Sequence, residues 1–134
     1  MPTQINRFSD HFLKFLLANP KRKWLLLDLV NTILILMGYE PLADIRPMDR
    51  ELSPDRPAGK GVRLDYLGRT ISGRTINLEF QKRSSEDFIQ RALYCGGTII
   101  HRQLESGNDY GKLCQTIFIA LLDFTLFKKE SGWF

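Results

Sequence analysis

The feature that most constrains this fold is a pair of segments with alternating polarity, residues 62–70 and 74–81, on either side of Ile71-Ser72-Gly73. Alternation with a period of two is typical of β-strands, and a short glycine-containing linker between two strands predicts a β-hairpin. In the second strand, the apolar face would carry Ile76, Leu78 and Phe80, and the polar face would carry Thr75, Asn77, Glu79 and Gln81.

The length of the loop decides which residues of the two strands face each other. A two-residue turn at Ser72-Gly73 would place Tyr66 opposite Glu79 and would mix polar and apolar side chains on each face. A three-residue loop instead pairs Asp65 with Glu79, Arg63 with Gln81, and Leu64 with Phe80. Only this second register gives one apolar core face, and it puts Gly73 where a left-handed backbone is needed. We therefore predict the three-residue loop.

This register makes Asp65 and Glu79 direct neighbours, with side-chain roots about 5 Å apart. Like charges so placed repel and destabilise a sheet unless a positive charge compensates them. A divalent cation could bridge the two carboxylates, because hard oxygen ligands suit Mg²⁺ or Mn²⁺. Alternatively, the pair could belong to a surface salt-bridge cluster with Arg63, Arg69 or Arg74. The sequence pattern does not decide between a bridging cation and a salt-bridge cluster. Gln81 adds a neutral polar group on the same face.

The rest of the chain predicts helices on both sides of this hairpin. Helical periodicity covers residues 5–17, and a longer apolar run with one narrow polar stripe, residues 22–37, predicts a buried core helix that ends at Gly38. Residues 41–61 contain four prolines and predict a loop with one short strand over residues 43–48.

After the hairpin, Ser84 or Ser85 can cap a helix whose apolar side continues to Gly107. The apolar run over residues 115–127 is typical of a buried strand. The order of elements predicts an α/β fold in which helices cover a mixed sheet. A length of 134 residues suits a single domain over residues 1–134.

Composition narrows the class of protein. Cys95 and Cys114 lack CxxC spacing, and with only two histidines in the chain they form no convincing zinc site, so we expect reduced thiols. The first residues lack the layout of a secretory signal, which favours a cytoplasmic protein. The run over residues 24–37 is shorter than a membrane span and contains Asp28, so we expect no membrane association.

The positive charge is concentrated around the hairpin. Eight basic and four acidic residues lie between residues 56 and 91, so this window carries the whole net charge of +4. A local basic excess favours an anionic partner such as nucleic acid, although a solvated basic surface would give the same count.

The chain resembles the recombination-promoting nucleases, also described as PD-(D/E)XK nuclease family transposases. The resemblance rests on three core motifs and on flanking segments that together cover almost the whole chain. The motifs are Lys60-Gly-Val-Arg-Leu-Asp65, Gly73-Arg-Thr-Ile-Asn-Leu-Glu79-Phe-Gln81 and Arg91-Ala-Leu-Tyr94. Members usually run well beyond the position where this chain ends, so we expect a C-terminally truncated or minimal copy.

The resemblance implies a restriction-endonuclease-like αβββαβ core, a divalent metal (Mg²⁺ or Mn²⁺) and endonucleolytic cleavage of DNA in recombination or mobile-element contexts. It places Asp65 and Glu79 at the two acidic positions, as catalytic residues and metal ligands. Gln81 stands at the third catalytic position, where the wider superfamily has lysine. Because glutamine cannot act as a base, the metal must activate the attacking water, and Gln81 could orient it.

Several residues around this core could have either a functional or an ordinary structural role. Asp28 or Asp10 could join the metal site, but an ordinary surface or helix-terminal carboxylate is the favoured reading of each. Arg91 could grip a phosphate or pair with Asp87. Further phosphate contacts are expected from Lys60, Lys82 and Arg83.

The main hypothesis is therefore a Mg²⁺-dependent DNA endonuclease that could form a homodimer. The alternative is a catalytically inactive DNA-binding or interaction remnant of the same fold. A third hypothesis is a regulatory partner that binds neither DNA nor metal.

Overall fold

The computed structural model describes Phe15 and residues 19–54, 56–81, 83 and 85–126. The predicted helix over residues 5–17 lies outside this part of the chain, apart from Phe15. Short 3-10 turns occur at Pro20–Arg22 and Tyr110–Lys112. The helices and strands are α1 (Lys23–Leu36), β1 (Arg46–Pro47), β2 (Glu51–Leu52), β3 (Val62–Arg63), β4 (Tyr66–Arg69), β5 (Thr75–Gln81), α2 (Phe88–His101) and β6 (Thr116–Leu122).

Helix α1 confirms the element predicted over residues 22–37. It ends before Gly38, which has a φ of +80° and so takes the left-handed conformation that glycine tolerates. The expectation of a buried core helix holds for one face only: Leu26, Val30 and Leu34 are buried, whereas Leu36 is 79% exposed. No helix in the described part of the chain is long and apolar enough to cross a membrane.

Four strands form a mixed sheet in the order β1-β4-β5-β6. The β1/β4 and β4/β5 pairs are antiparallel, whereas β5 and β6 are parallel because α2 connects them. Helix α1 packs on one face, against Tyr66, Ile76 and Leu78, and α2 contributes Ile99 to the other face, beside Leu67. The predicted mixed sheet flanked by helices is thus confirmed, with the element order α1, β1, β4, β5, α2, β6.

The predicted hairpin register is confirmed along β4 and β5. Tyr66 lies opposite Leu78, and the Thr70 N–H donates to the Arg74 carbonyl at 2.9 Å. The loop therefore has three residues, and its last residue, Gly73, has a φ of +93°.

The first strand of the hairpin is shorter than predicted. Val62 and Arg63 pair with β2 instead of β5, and the Leu64 N–H donates to the Arg50 carbonyl at 2.8 Å. The expected pairs of Arg63 with Gln81 and of Leu64 with Phe80 are therefore wrong. The chain bends at Asp65 and carries β3 away into a separate two-stranded ribbon with β2.

The polar face predicted for the second strand is also buried. Thr75 is 3% exposed and Asn77 is fully buried, because α2 lies over this face. The hairpin therefore contributes to two cores, and its polar residues need partners inside the protein.

The remaining elements are shorter than predicted. The helix expected from Ser84 or Ser85 to Gly107 spans Phe88–His101, and the strand expected over residues 115–127 spans Thr116–Leu122. Within the proline-rich segment, β1 lies inside the range predicted for a strand, whereas β2 was not predicted. Both cysteines are free and half-buried.

Candidate functional site

The hairpin brings Asp65 and Glu79 together. The Asp65 N–H donates to the Glu79 carboxylate, with its nitrogen 3.2 Å from Oε1 and 3.4 Å from Oε2. In return, the Phe80 N–H donates to Oδ2 of Asp65 at 2.8 Å. Each carboxylate is thus held by a peptide group of the opposite strand, which fixes the side chains beside each other.

Glu79 is in an environment that opposes its negative charge. Burial raises its pKa, and the nearby negative charge of Asp65 raises it further, to about 7. A hydrogen bond from Asn77 Nδ2 to Oε1, at 2.8 Å, acts in the opposite direction and favours the ionised form. Near neutral pH Glu79 is therefore close to the midpoint of its protonation, and a nearby positive charge would stabilise its ionised form.

The arginines that could have neutralised this pair point elsewhere. Arg63 forms a long ion pair with Glu51 at 3.8 Å, and Arg74 donates to the Gln115 side chain at 3.0 Å. Nε of Arg69 is buried without a hydrogen-bond partner among the described residues. Neither salt bridge found in the described part of the chain involves Asp65 or Glu79.

The donor set suits a hard divalent cation. Two carboxylates offer oxygen ligands whose like charges a cation would compensate, and Mg²⁺ commonly takes one or two protein carboxylates and completes its shell with water and phosphate. No group of three or more His, Cys, Asp or Glu residues suited to a metal occurs among the described residues, so Asp28 does not join the pair there. Asp10 lies outside those residues.

Comparison with protein families identifies the chain. The family model described as PD-(D/E)XK nuclease family transposase matches residues 7–134. The chain belongs to this family. No curated protein and no solved structure matches the chain. The resemblance expected from the motifs around Asp65 and Glu79 is thus confirmed over nearly the full length.

Gln81, which the sequence motif predicts to be the third catalytic residue, is the last residue of β5 and is half-buried. Its Nε2 donates to the carbonyl of Arg83 at 2.9 Å. Among the described residues, Gln81 thus contacts the turn after β5 and forms no hydrogen bond with either carboxylate of the acid pair.

Two of the basic residues expected to contact phosphate, Arg91 and Lys60, act electrostatically on the same thiol as Glu79, that of Cys95. Tyr94, on α2, donates from its hydroxyl to the Lys60 carbonyl at 3.1 Å. Burial raises the pKa of the Cys95 thiol, as does the negative charge of Glu79, whereas Arg91 and Lys60 lower it. Cys95 is therefore within electrostatic range of all three charges.

The alternative pairing of Arg91 with Asp87 is not among the salt bridges of the described residues. The contact recorded between them is the helical bond from the Arg91 N–H to the Asp87 carbonyl, at 2.9 Å. Arg83 is exposed after β5, and Lys82 lies outside the described residues.

Two residues at the site had no role in the sequence prediction. Arg50 donates to the Asp65 carbonyl at 3.4 Å, which brings a positive charge close to the acid pair. It comes from the proline-rich segment, where the sequence carries no pattern that could have identified it. Asn77 contacts Glu79, and its position two residues before Glu79 on the same strand face was the available signal.

Proposed function

We propose that this chain is a metal-dependent DNA endonuclease with a restriction-endonuclease-like core, acting on phosphodiester bonds in recombination or mobile-element contexts. The observation that carries the proposal is the acid pair. Asp65 and Glu79 are fixed side by side by reciprocal backbone hydrogen bonds, and the described residues offer their carboxylates no salt-bridge partner. Membership of the nuclease family supports the same reading.

In this proposal Asp65 and Glu79 are the metal ligands and Gln81 is the third catalytic residue. A bound Mg²⁺ or Mn²⁺ would supply positive charge that lowers the pKa of water and stabilises the negative charge that develops on the phosphate. The N–H groups of Asp65 and Phe80 hold the two carboxylates in place. Gln81 carries no ionisable group, so its role is to orient the water that attacks phosphorus.

The DNA backbone would be held by basic residues near the acid pair. Arg91 and Lys60 are the strongest candidates, because both lie close enough to act on the Cys95 thiol together with Glu79. Arg83 and Lys82, which follow β5, are proposed as additional phosphate contacts. Such contacts position the duplex without reading its sequence, so we expect little sequence preference.

Cleavage of supercoiled plasmid DNA in Mg²⁺ or Mn²⁺ tests the proposal. Asp65→Asn and Glu79→Gln keep the size of each side chain but remove its charge, and we expect both variants to lose cleavage. Glu51→Gln is the matched control, because Glu51 is also a strand carboxylate but lies in the β2–β3 ribbon and faces Arg63. Equal cleavage by all four proteins would overturn the assignment. Binding of DNA without cleavage by the wild-type protein would identify the inactive remnant instead.

A homodimer is also proposed, and the exposed face of α2 supports it. Leu93 is 71% exposed, and a β-carbon added at Gly96 or Gly97 would meet open space. Antiparallel pairing of two α2 helices would seat each Leu93 against these glycines. Light scattering of the wild-type protein and Leu93→Lys tests this, with a dimer expected only for the wild type.

A cytoplasmic location stays a prediction.

A further inference from the structure

Asn77 is a buried polar residue that connects the two strands of the hairpin to the acid pair. Its side chain is fully buried in β5. Nδ2 donates to the Tyr66 carbonyl on β4 at 3.1 Å and to Oε1 of Glu79 at 2.8 Å. One amide group thus links the backbone of the neighbouring strand to one oxygen of the Glu79 carboxylate.

The hydrogen bonds of this amide are only half satisfied. Oδ1 of Asn77 is buried and has no hydrogen-bond partner among the described residues. A buried polar atom without a partner costs free energy, typically about 1–3 kcal/mol. An apolar residue of similar size would avoid this cost at a position between two hydrophobic strands. Stability alone therefore does not explain an asparagine here.

The two donors of Asn77 do explain it. Glu79 has to keep its carboxylate next to Asp65, although burial and the charge of Asp65 both oppose ionisation. A rigid amide, fixed at one end by the Tyr66 carbonyl, presents its other N–H to Oε1 in a set direction. The Asp65 N–H approaches the same carboxylate from β4. Together these donors leave little freedom in the orientation of the carboxylate.

We propose that Asn77 is a positioning residue that sets the orientation of the Glu79 carboxylate at the acid pair. The inference rests on the proposed function, because it concerns the same site. It adds a residue that would act through Glu79 without contacting metal or DNA. Residues of this kind typically change metal affinity by roughly 10- to 100-fold when they are replaced.

The chain contains a matched control, Asn31. Its side chain also makes two hydrogen bonds that tie separate segments together: Nδ2 donates to the Leu42 carbonyl at 2.9 Å, and Oδ1 accepts from the Leu42 N–H at 2.7 Å. Asn31 lies on α1 and contacts no residue of the acid pair in the described hydrogen bonds. Replacing it measures the effect of losing a structural asparagine by itself.

The test compares Asn77→Leu, Asn77→Ala and Asn31→Ala for thermal stability and for Mn²⁺ affinity by isothermal titration calorimetry. We expect Asn77→Leu to remain folded and to bind Mn²⁺ about 10- to 100-fold more weakly. Asn77→Ala, which adds no bulk to the core, should show the same loss of affinity. Asn31→Ala should lose stability but bind Mn²⁺ as the wild type does. Wild-type affinity in both Asn77 variants would overturn the inference.

A crystal structure of metal-free Asn77→Ala separates this inference from the proposed function. We expect the Glu79 carboxylate to leave the Asp65 N–H in that structure. An unmoved carboxylate would refute the positioning role, whatever the metal measurements give. A wild-type protein that binds no Mn²⁺ would instead refute the proposed metal site, while the position of Glu79 in the variant would still decide the role of Asn77.

Discussion

The backbone N–H of Asp65 donates to the side chain of Glu79, with the nitrogen 3.2 Å from Oε1. The Asp65 carboxylate in turn accepts from the peptide group that follows Glu79, that of Phe80. Two side chains that repel each other are thus held together by the backbone of the hairpin.

The stability of the metal-free protein should fall as the pH rises from about 4.5 to about 7. Glu79 has an ordinary pKa of 4.5 when unfolded and a pKa raised to about 7 when folded. Within this window the folded state therefore binds a proton that the unfolded state has released, so raising the pH favours unfolding. A single proton limits the slope to about 1.4 kcal/mol per pH unit, and partial solvent access lowers it.

Urea unfolding at several pH values measures this effect. Glu79→Gln should remove the Glu79 part of the slope, and the surface variant Glu105→Gln should keep it. Mg²⁺ should flatten the wild-type profile, because the cation replaces the proton at the acid pair. An unchanged slope in Glu79→Gln would show that another group titrates.

Gly73→Ala should destabilise the protein more than Gly38→Ala. Both glycines have positive φ, +93° and +80°, so each substitution costs about 1–2 kcal/mol for the backbone alone. At Gly38 the added β-carbon meets no atom within 4 Å, whereas at Gly73 it would lie 2.6 Å from Sγ of Cys114. Chemical unfolding of both variants measures the difference.

The added cost at Gly73 should disappear when the sulfur is removed. The double variant Gly73→Ala with Cys114→Ala is compared with Cys114→Ala alone. We expect the loss in free energy of unfolding between these two proteins to be close to the loss that Gly38→Ala causes in the wild type. Equal destabilisation by the two single glycine substitutions would show that the loop accommodates the contact.

Gln81→Leu should reduce turnover without changing Mn²⁺ affinity. The side chain of Gln81 is recorded in contact with the Arg83 carbonyl, and the carboxylates keep their own hydrogen bonds without it. A misplaced attacking water typically costs about 10²-fold in rate. Gln115→Leu is the matched control, because Gln115 accepts from Arg74 away from the acid pair. Weaker Mn²⁺ binding by Gln81→Leu would make Gln81 a ligand instead.

Arg91→Ala should weaken DNA binding and reduce its dependence on salt. If Arg91 contacts one phosphate, the slope of log affinity against log salt should fall by about 1. The measurement uses the Glu79→Gln background, so that the DNA stays intact. Arg102 follows the C-terminal end of the same helix and donates to the Ser53 carbonyl, so Arg102→Ala serves as the control. Parallel salt slopes for all proteins would exclude the phosphate contact.

The hairpin register could be predicted because it depends on local rules. The spacing between Asp65 and Glu79, the three-residue loop and the positive φ of Gly73 all follow from alternation and turn chemistry within residues 62–81. The end of the hairpin pairing at Leu64 could not be predicted, because Leu64 pairs instead with Arg50, a residue in an irregular segment. Nothing in the local pattern of the first strand distinguishes the two partners.

The burial of Asn77 was missed for a related reason. Alternation placed it correctly on the polar face of β5, but whether that face meets water depends on where α2 packs. Helix α2 comes later in the chain and covers this face from the side opposite α1. Secondary-structure patterns therefore located the acid pair, whereas the residues that support it became visible only in the folded structure.

The acid pair lies at the open end of the β4–β5 ladder, the end furthest from Gly73. The contacts that join Asp65 to the second strand span 14 and 15 residues along the chain. A hairpin that closes from its turn makes these contacts last, and thermal fraying opens them first. The pairing of Asp65 with Glu79 therefore forms the end of the hairpin and also brings the two carboxylates together. The site is complete only while the hairpin is paired along its whole length.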